Sequence, residues 1–334
     1  MAVRGRFAGT VALVVGLAIS GCGDDATRSV PLAAQGLYTA ALSTTGDLAL
    51  VGSLNHGASL WKSDAHERVY SWNHSDDDFS ALNAADIADD GRFAVTADPR
   101  TLVVWNIETG AAESFWATPG AVLDLALDTD GARVLMGLED HSAVYFDAES
   151  GAHLYTFLHE GEVTSVDLTR DGETALTASE DGTAKVWDLT SGELRLKIAT
   201  GGPLRVATLS ADGHWLLLAA RNAEVDLIDL KAGRRSSRIY RRNPGIVSAR
   251  FDASGTLLAL GLANRAAQIV DVGTGMLLEK LHLPQSPTLG RGGRAVLDLA
   301  FTRRGGLLAI SGDGRLNTLA NKNQPPRSAA RARS

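Results

Sequence analysis

The chain has a single cysteine, Cys22, in 334 residues. No intrachain disulfide can therefore hold the fold. Only one apolar run occurs, near the start, and no second run is long enough to span a bilayer. Base is in short supply: 39 Asp and Glu stand against 32 Lys and Arg, a net charge of −7. That balance argues against general nucleic-acid binding, which needs a basic footprint. The eight histidines do not pair at zinc-ligand spacing. Gly201-Gly202 and Gly292-Gly293 are too isolated for a phosphate-binding loop. The run Ser75-Asp76-Asp77-Asp78 lacks the ligand and glycine spacing of a calcium loop and reads as a solvated acidic loop. No nucleophile, base and orienting group stand together. Neither a cofactor nor a metal is expected, and no small-molecule substrate is indicated.

What is present begins at the N-terminus. Arg4 and Arg6 precede an apolar run from Phe7 to Ile19, shorter than the roughly 20 residues of a spanning helix. A positive start, an apolar middle and small residues at a cut site make an export signal. The segment Ile19-Ser20-Gly21-Cys22 resembles a bacterial lipobox. The resemblance implies cleavage before Cys22, which then carries lipid as the first mature residue. It also accounts for a lone cysteine in an exported chain, where a leftover thiol would be odd. Residues 1–21 are read as the signal peptide and residues 22–27 as a short lipidated tether. Removing Arg4 and Arg6, and no acid, takes the net charge from −7 to −9. In enteric-type sorting an Asp directly after the cysteine keeps a lipoprotein in the inner membrane. Gly23 stands there, so the expected location is the outer membrane, facing the periplasm.

Beyond the tether the sequence repeats. A glycine turn recurs at Gly46, Gly91, Gly131, Gly172, Gly213, Gly255 and Gly305, at spacings of 45, 40, 41, 41, 42 and 50. Tight hairpins need positive φ, which glycine supplies. About 15 residues after each turn comes a large apolar residue: Trp61, Trp105, Phe146, Trp187, Ile228, Val270 and Leu319. Five residues later a second glycine follows at Gly110, Gly151, Gly192, Gly233 and Gly275. Short alternating runs such as Val163–Leu168 lie between these landmarks and mark strands. Each unit supplies four short antiparallel strands, and repeats of this length stack into arrays or rings.

The repeat length, the Asp-Gly turn and the Trp-Asp dipeptide resemble WD40 repeats, over about residues 28–320. The resemblance implies an all-β fold: a seven-bladed propeller of four-stranded antiparallel blades. The seventh unit ends near Ala320 after three strands. Its fourth strand is expected from residues around Arg28–Ala34, so that an N-terminal strand closes the ring and removes the exposed edge. In the family a histidine, a strand Ser or Thr, a turn Asp and the Trp form a buried hydrogen-bonded tetrad. The matching residues are His159, Thr177, Asp181 and Trp187, and only this unit carries all four. The second unit has one extra residue between Asp98 and Trp105. As blade core, Trp187 should cost roughly 3–5 kcal/mol when cut to Ala. Residues 321–334 hold Lys322, Arg327, Arg331 and Arg333 and no acid, and read as a disordered basic tail.

The family topology also sets the faces. The first strand of each blade starts on the top face, so a closing fourth strand starts at the bottom and the tether enters there. The top face then points away from the membrane. Its loops carry acids in the first four blades, including Asp76, Asp77, Asp78, Glu139, Glu160, Glu162 and Glu180. In the last three blades they carry bases, including Arg221, Arg241, Arg242, Arg265, Arg291, Arg294 and Arg315. Charged sectors steer and orient a partner. The longest loop, 283–294, is rich in Pro and Gly. The expected function is a lipid-anchored, non-enzymatic platform for protein partners that dock on this face. An enzyme using the central channel and an envelope-protein assembly factor are the alternatives. Convergent acids or histidines at the top ends of the first strands would favour the enzyme, but the sequence puts mostly apolar and small residues there, Val163 and Val296 among them.

Overall fold

The computed structural model describes residues 26–320, apart from 35, 54–56, 76–79, 222–223, 242 and 285–294. Among the described residues there are 28 strands and no helix. Blade 1 contains β2 (Leu37–Leu42), β3 (Leu48–Ser53), β4 (Gly57–Lys62) and β5 (Glu67–Trp72). Blade 2 contains β6 (Ala84–Ile87), β7 (Phe93–Ala97), β8 (Thr101–Asn106) and β9 (Ala112–Ala117). Blade 3 contains β10 (Val122–Leu127), β11 (Arg133–Leu138), β12 (Ser142–Asp147) and β13 (His153–Leu158). Blade 4 contains β14 (Val163–Leu168), β15 (Thr174–Ser179), β16 (Thr183–Asp188) and β17 (Leu194–Ala199). Blade 5 contains β18 (Leu204–Leu209), β19 (Trp215–Ala220), β20 (Val225–Asp229) and β21 (Arg234–Tyr240). Blade 6 contains β22 (Ile246–Phe251), β23 (Leu257–Leu262), β24 (Ala266–Asp271) and β25 (Leu277–His282). Blade 7 joins β26 (Val296–Phe301), β27 (Leu307–Ser311) and β28 (Arg315–Leu319) to β1 (Ala26–Pro31).

Every strand pairing is antiparallel, and the first strand of each blade lies next to the first strands of its neighbours, with β26 beside β2. The ring is therefore closed. Both glycine series hold the expected conformation: Gly131 has φ 78° and Gly192 has φ 76°. Space as well as φ demands glycine at these two sites. A Cβ on Gly131 would meet Phe93 at 2.6 Å, and one on Gly192 would meet Tyr155 at 2.4 Å.

The apolar cores lie between the blades, one for each of the seven interfaces. Leu50, Leu60, Trp72 and Trp105 join blades 1 and 2, for example, and Leu42, Val51, Ile310 and Leu316 join blades 7 and 1. Both faces of a blade are thus buried, which explains near-continuous apolar strands such as Leu216–Ala220.

The closing strand runs Ala26–Pro31, earlier than the segment expected around Arg28–Ala34. Two packing events set its limits. Ala26 sits in the core between blades 6 and 7. At the other end, the N–H groups of Leu32 and Ala33 both turn onto the Gly314 carbonyl, at 2.8 and 3.2 Å, and Leu32 enters the core between blades 7 and 1. Arg315 fastens the strand by donating Nε to Ser29 Oγ at 2.8 Å and Nη2 to the Ser29 carbonyl at 2.9 Å.

Candidate functional site: the central channel and the top face

The inner strands enclose a channel of about 660 Å³. In six of them the register slips after the first residue, leaving Tyr38, Leu123, Thr164, Arg205, Val247 and Leu297 unopposed. A bulge re-aims the side chains around it, and these six line the channel where the inner strands begin. Val163 and Val296 begin their inner strands, as expected, and are fully buried between blades.

Deeper in, the lining is acidic: Asp86, Asp124, Asp167 and Asp298 share the channel with Arg250. Each carboxylate reaches the next blade. Asp86 accepts the Leu127 N–H at 2.9 Å, Asp124 the Val166 N–H at 2.9 Å, Asp167 the Leu209 N–H at 2.8 Å and Asp298 the Leu42 N–H at 2.7 Å. Asp167 also accepts the Thr208 hydroxyl at 2.7 Å. Arg250 Nη2 lies 3.1 Å from Asp298 Oδ2. Burial pushes Asp86 up to about 7, against the Leu127 N–H and the Arg250 charge. It pushes Asp124 up to about 7 against the Val166 N–H, and raises Asp167 likewise. Burial works against the Arg250 charge, but Asp298, Asp86 and Asp167 outweigh it and raise its pKa above the ordinary value. The channel so holds protonatable carboxyls beside the buried Arg250 guanidinium.

The bottom of the channel is laced across. Arg170 of blade 4 reaches Asp89 of blade 2, Nε to Oδ2 at 3.0 Å, and Asp89 also accepts the Thr44 hydroxyl of blade 1. Thr129 donates to the Arg170 carbonyl at 2.6 Å, and the Arg170 N–H donates to the Ala211 carbonyl at 3.1 Å.

In blade 4, His159, Thr177, Asp181 and Trp187 come together. His159 Nδ1 lies 3.1 Å from Asp181 Oδ2, His159 Nε2 lies 2.8 Å from Thr177 Oγ1, and Trp187 Nε1 donates to that oxygen at 2.9 Å. A carboxylate can only accept, so Nδ1 carries the hydrogen, Nε2 accepts from the Thr177 hydroxyl, and Thr177 accepts from the indole. Burial, followed by the Lys185 charge, holds the His159 pKa below its ordinary value, in keeping with a neutral ring. Burial works against ionisation of Asp181, but the N–H of Glu160, the hydroxyl and N–H of Thr183 and the His159 ring bring it down to about 2.

Blade 2 holds a second such relay, contrary to the expectation that one unit alone carries all four residues. His74 Nε2 lies 2.7 Å from Thr96 Oγ1, Trp105 Nε1 donates to that oxygen at 2.8 Å, and His74 Nδ1 lies 3.4 Å from Asp98. The turns of blades 2 and 4 both hold three residues, but Asp98 takes the first place where Asp181 takes the second, and it accepts the N–H groups of Arg100 and Thr101. His74 precedes Asp98 by 24 residues, where His159 precedes Asp181 by 22, and that spacing hid it.

On the top face Glu139, Glu160, Arg221 and Arg241 are exposed, with Glu162 and Glu180 partly so. The acidic and basic sectors meet at the border of blades 4 and 5, where Arg221 Nη2 pairs with Glu180 Oε1 at 2.9 Å. Those two charges satisfy each other. Arg315 is engaged by the closing strand. Cys22, Asp76, Asp77, Asp78, Arg242, Arg291, Arg294 and the tail 321–334 lie outside the described residues.

Residues 151–188 match the family model described as WD domain, G-beta repeat. The chain is a seven-bladed β-propeller that carries a WD repeat. The matched span starts with the outer strand of blade 3 and ends with the third strand of blade 4, so the repeat straddles two blades, the same offset that leaves β1 to complete blade 7. No curated protein matches the chain.

Proposed function

We propose that this WD-repeat propeller is a lipid-anchored platform in the bacterial cell envelope, tethered at Cys22, whose top face docks protein partners. WD40 propellers are generally non-catalytic scaffolds that bind proteins. The single observation that carries the reading is the closure of the ring: seven blades and their interblade cores fix the loops, so a partner meets a preorganised surface. The lipobox resemblance at residues 19–22 supports the anchor, and Gly23 supports the outer membrane facing the periplasm. The charges left available on the top face, among them Glu139, Glu160 and Arg241, support an oriented approach.

The test is crosslinking in intact cells that express the tagged protein, with partners identified after membrane solubilisation at low and high salt. A Cys22→Ala variant and an Arg241→Glu variant run beside it. One abundant partner, lost in high salt and in Arg241→Glu, supports the platform. Absence of any reproducible partner sinks it.

A channel enzyme is the second reading, favoured by the carboxyls of Asp86, Asp124 and Asp167 held beside Arg250. Their bonds to neighbouring backbone N–H groups assign them first to fastening blades. Turnover of any screened substrate that is lost in Asp124→Asn while the fold persists would move weight to the enzyme.

A further inference from the structure

The bottom face is unevenly built. In blades 1 to 5 the turn between third and fourth strands, with the strand start that follows it, always includes charge: Asp64 and Glu67, Glu108, Glu149, Glu193, then Lys231 and Arg234. In blade 6 that stretch reads Val272-Gly273-Thr274-Gly275-Met276-Leu277-Leu278, with no charge at all. Asp271 just before it is occupied, accepting the N–H and hydroxyl of Thr274 at 2.8 and 2.7 Å. Met276 is 65% exposed and Leu277 47%. Leu194, at the matching position of blade 4, is exposed too but stands next to Glu193, whereas in blade 6 exposed apolar side chains run together without charge, the pattern of a contact surface.

Three further observations say what covers it. First, β1 and β25 both hold the fourth position in their blades and run the same way, so both begin on the bottom face. Ala26, at the start of β1, packs against the core between blades 6 and 7, as does Leu257 at the bottom of blade 6. The chain therefore leaves the ring on the side of blade 7 that faces blade 6, the blade with the uncharged turn. Second, only four residue steps separate Ala26 from Cys22, a reach of about 14 Å. Third, the uncharged turn is flanked by exposed bases, Lys231 and Arg234 on blade 5 and Arg303 and Arg304 on blade 7, while the bottom turns of blades 2 to 4 expose Glu108, Asp130, Glu149, Glu173 and Glu193. Among these bases Arg303 pairs with Asp47 at 3.1 Å at an exposed site.

We propose that Met276 and Leu277, with Lys231, Arg234 and Arg304 around them, form a membrane-contact corner that seats the propeller on an anionic lipid surface. The proposal rests on the anchor reading for its geometry. Apolar side chains enter the headgroup boundary while bases meet lipid phosphates, and the acidic side of the ring is repelled. The propeller then sits tilted, with blades 5 to 7 against the bilayer and blades 2 to 4 raised.

The test uses the full chain, purified from membranes and placed in phosphatidylglycerol-containing vesicles. A polarity-sensitive fluorophore is attached at Thr274→Cys, at Glu149→Cys on the raised side, or at Glu139→Cys on top, and the signal of the unsubstituted chain, which reports any dye on an unlipidated Cys22, is subtracted. The expected result is a blue-shifted probe at 274, quenched several-fold more by spin-labelled lipid than those at 149 and 139. Met276→Asp with Leu277→Asp should abolish the difference, and thermal unfolding confirms that this variant stays folded. Lys231→Glu and Arg304→Glu should each weaken vesicle affinity by about fivefold. The mass of the N-terminal peptide reports separately on lipid at Cys22. A lipidated Cys22 with the 274 and 149 probes alike overturns the corner and keeps the anchor. An unmodified Cys22 with the 274 probe shifted discards the anchor and keeps the corner. An unmodified Cys22 with the probes alike overturns both.

Discussion

Single threonines hold the two His–Thr–Trp relays, and their burial ranks the consequences of mutation. Thr96 is fully buried, and Trp105 above it is 6% exposed and stacked on Trp72 at 4.9 Å. Thr96→Val leaves the Trp105 N–H and the His74 ring without their partner, a loss of about 1–3 kcal/mol in urea unfolding. Trp105→Ala should cost about 3–5 kcal/mol. Trp187 is only partly buried, though stacked on Phe157 at 4.4 Å, so Trp187→Ala should cost less than the core value first expected of it. An equal or larger loss at Trp187 would refute that ranking. The channel acids add a pH dependence. Asp86 and Asp124 titrate at about 7 in the folded ring, against an ordinary value of 3.8. Between these limits the folded state keeps protons that the unfolded chain has released. Their stabilisation is full below about pH 4 and is lost as pH rises through 7, on the order of a few kcal/mol. Asp86→Asn should flatten the difference between unfolding midpoints at pH 5 and 7.5; an unchanged difference would remove Asp86 from the account. Asp124, Asp167 and Asp298, on strands that bulge, were not legible in the sequence for a geometric reason. Alternation tells two faces of a strand apart, but a bulge after the first residue swaps them. The relay of blade 4 was legible because its spacing is regular, and that of blade 2 was not because His74 precedes Thr96 by 22 residues, where His159 precedes Thr177 by 18.

At the scale of the element, β1 decides whether the ring closes. Without it β28 presents an open edge, a template for pairing with other chains. Its hold depends on the backbone ladder, on Ala26 and Leu32 at its two ends, and on the two bonds from Arg315. Arg315→Ala should therefore lower stability by about 1–3 kcal/mol and speed amide exchange in β28 more than in β16. Uniform exchange in the two strands would show that Arg315 does not latch the closure. The turn glycines and apolar landmarks made the seven units countable, because φ and packing demand those residue types wherever the hairpin recurs. The closing strand's limits were harder to read, since Ala26 and Leu32 are placed by contacts with residues more than two hundred positions away.

For the whole molecule, the placing of charge matters more than its total. The pairing of Glu180 with Arg221 neutralises the border between the top-face sectors, so steering falls to charges away from that border. Glu139 on the acidic side and Arg241 on the basic side are both exposed. A partner drawn in by such sectors associates faster than it otherwise would, and salt screens the attraction within a Debye length of about 10 Å at 0.1 M. Arg241→Glu should slow association with the captured partner by about tenfold at low salt, and the deficit should shrink as salt is raised. Dissociation should change little, because rim charges act mainly on encounter. Arg221→Glu places two carboxylates at one border and should slow association less than Arg241→Glu if the partner reads the outlying charges, but more if it docks over the border itself. Stopped-flow measurement at two ionic strengths separates these outcomes, and equal rates for all three proteins at low salt would mean that the partner binds elsewhere than the top face.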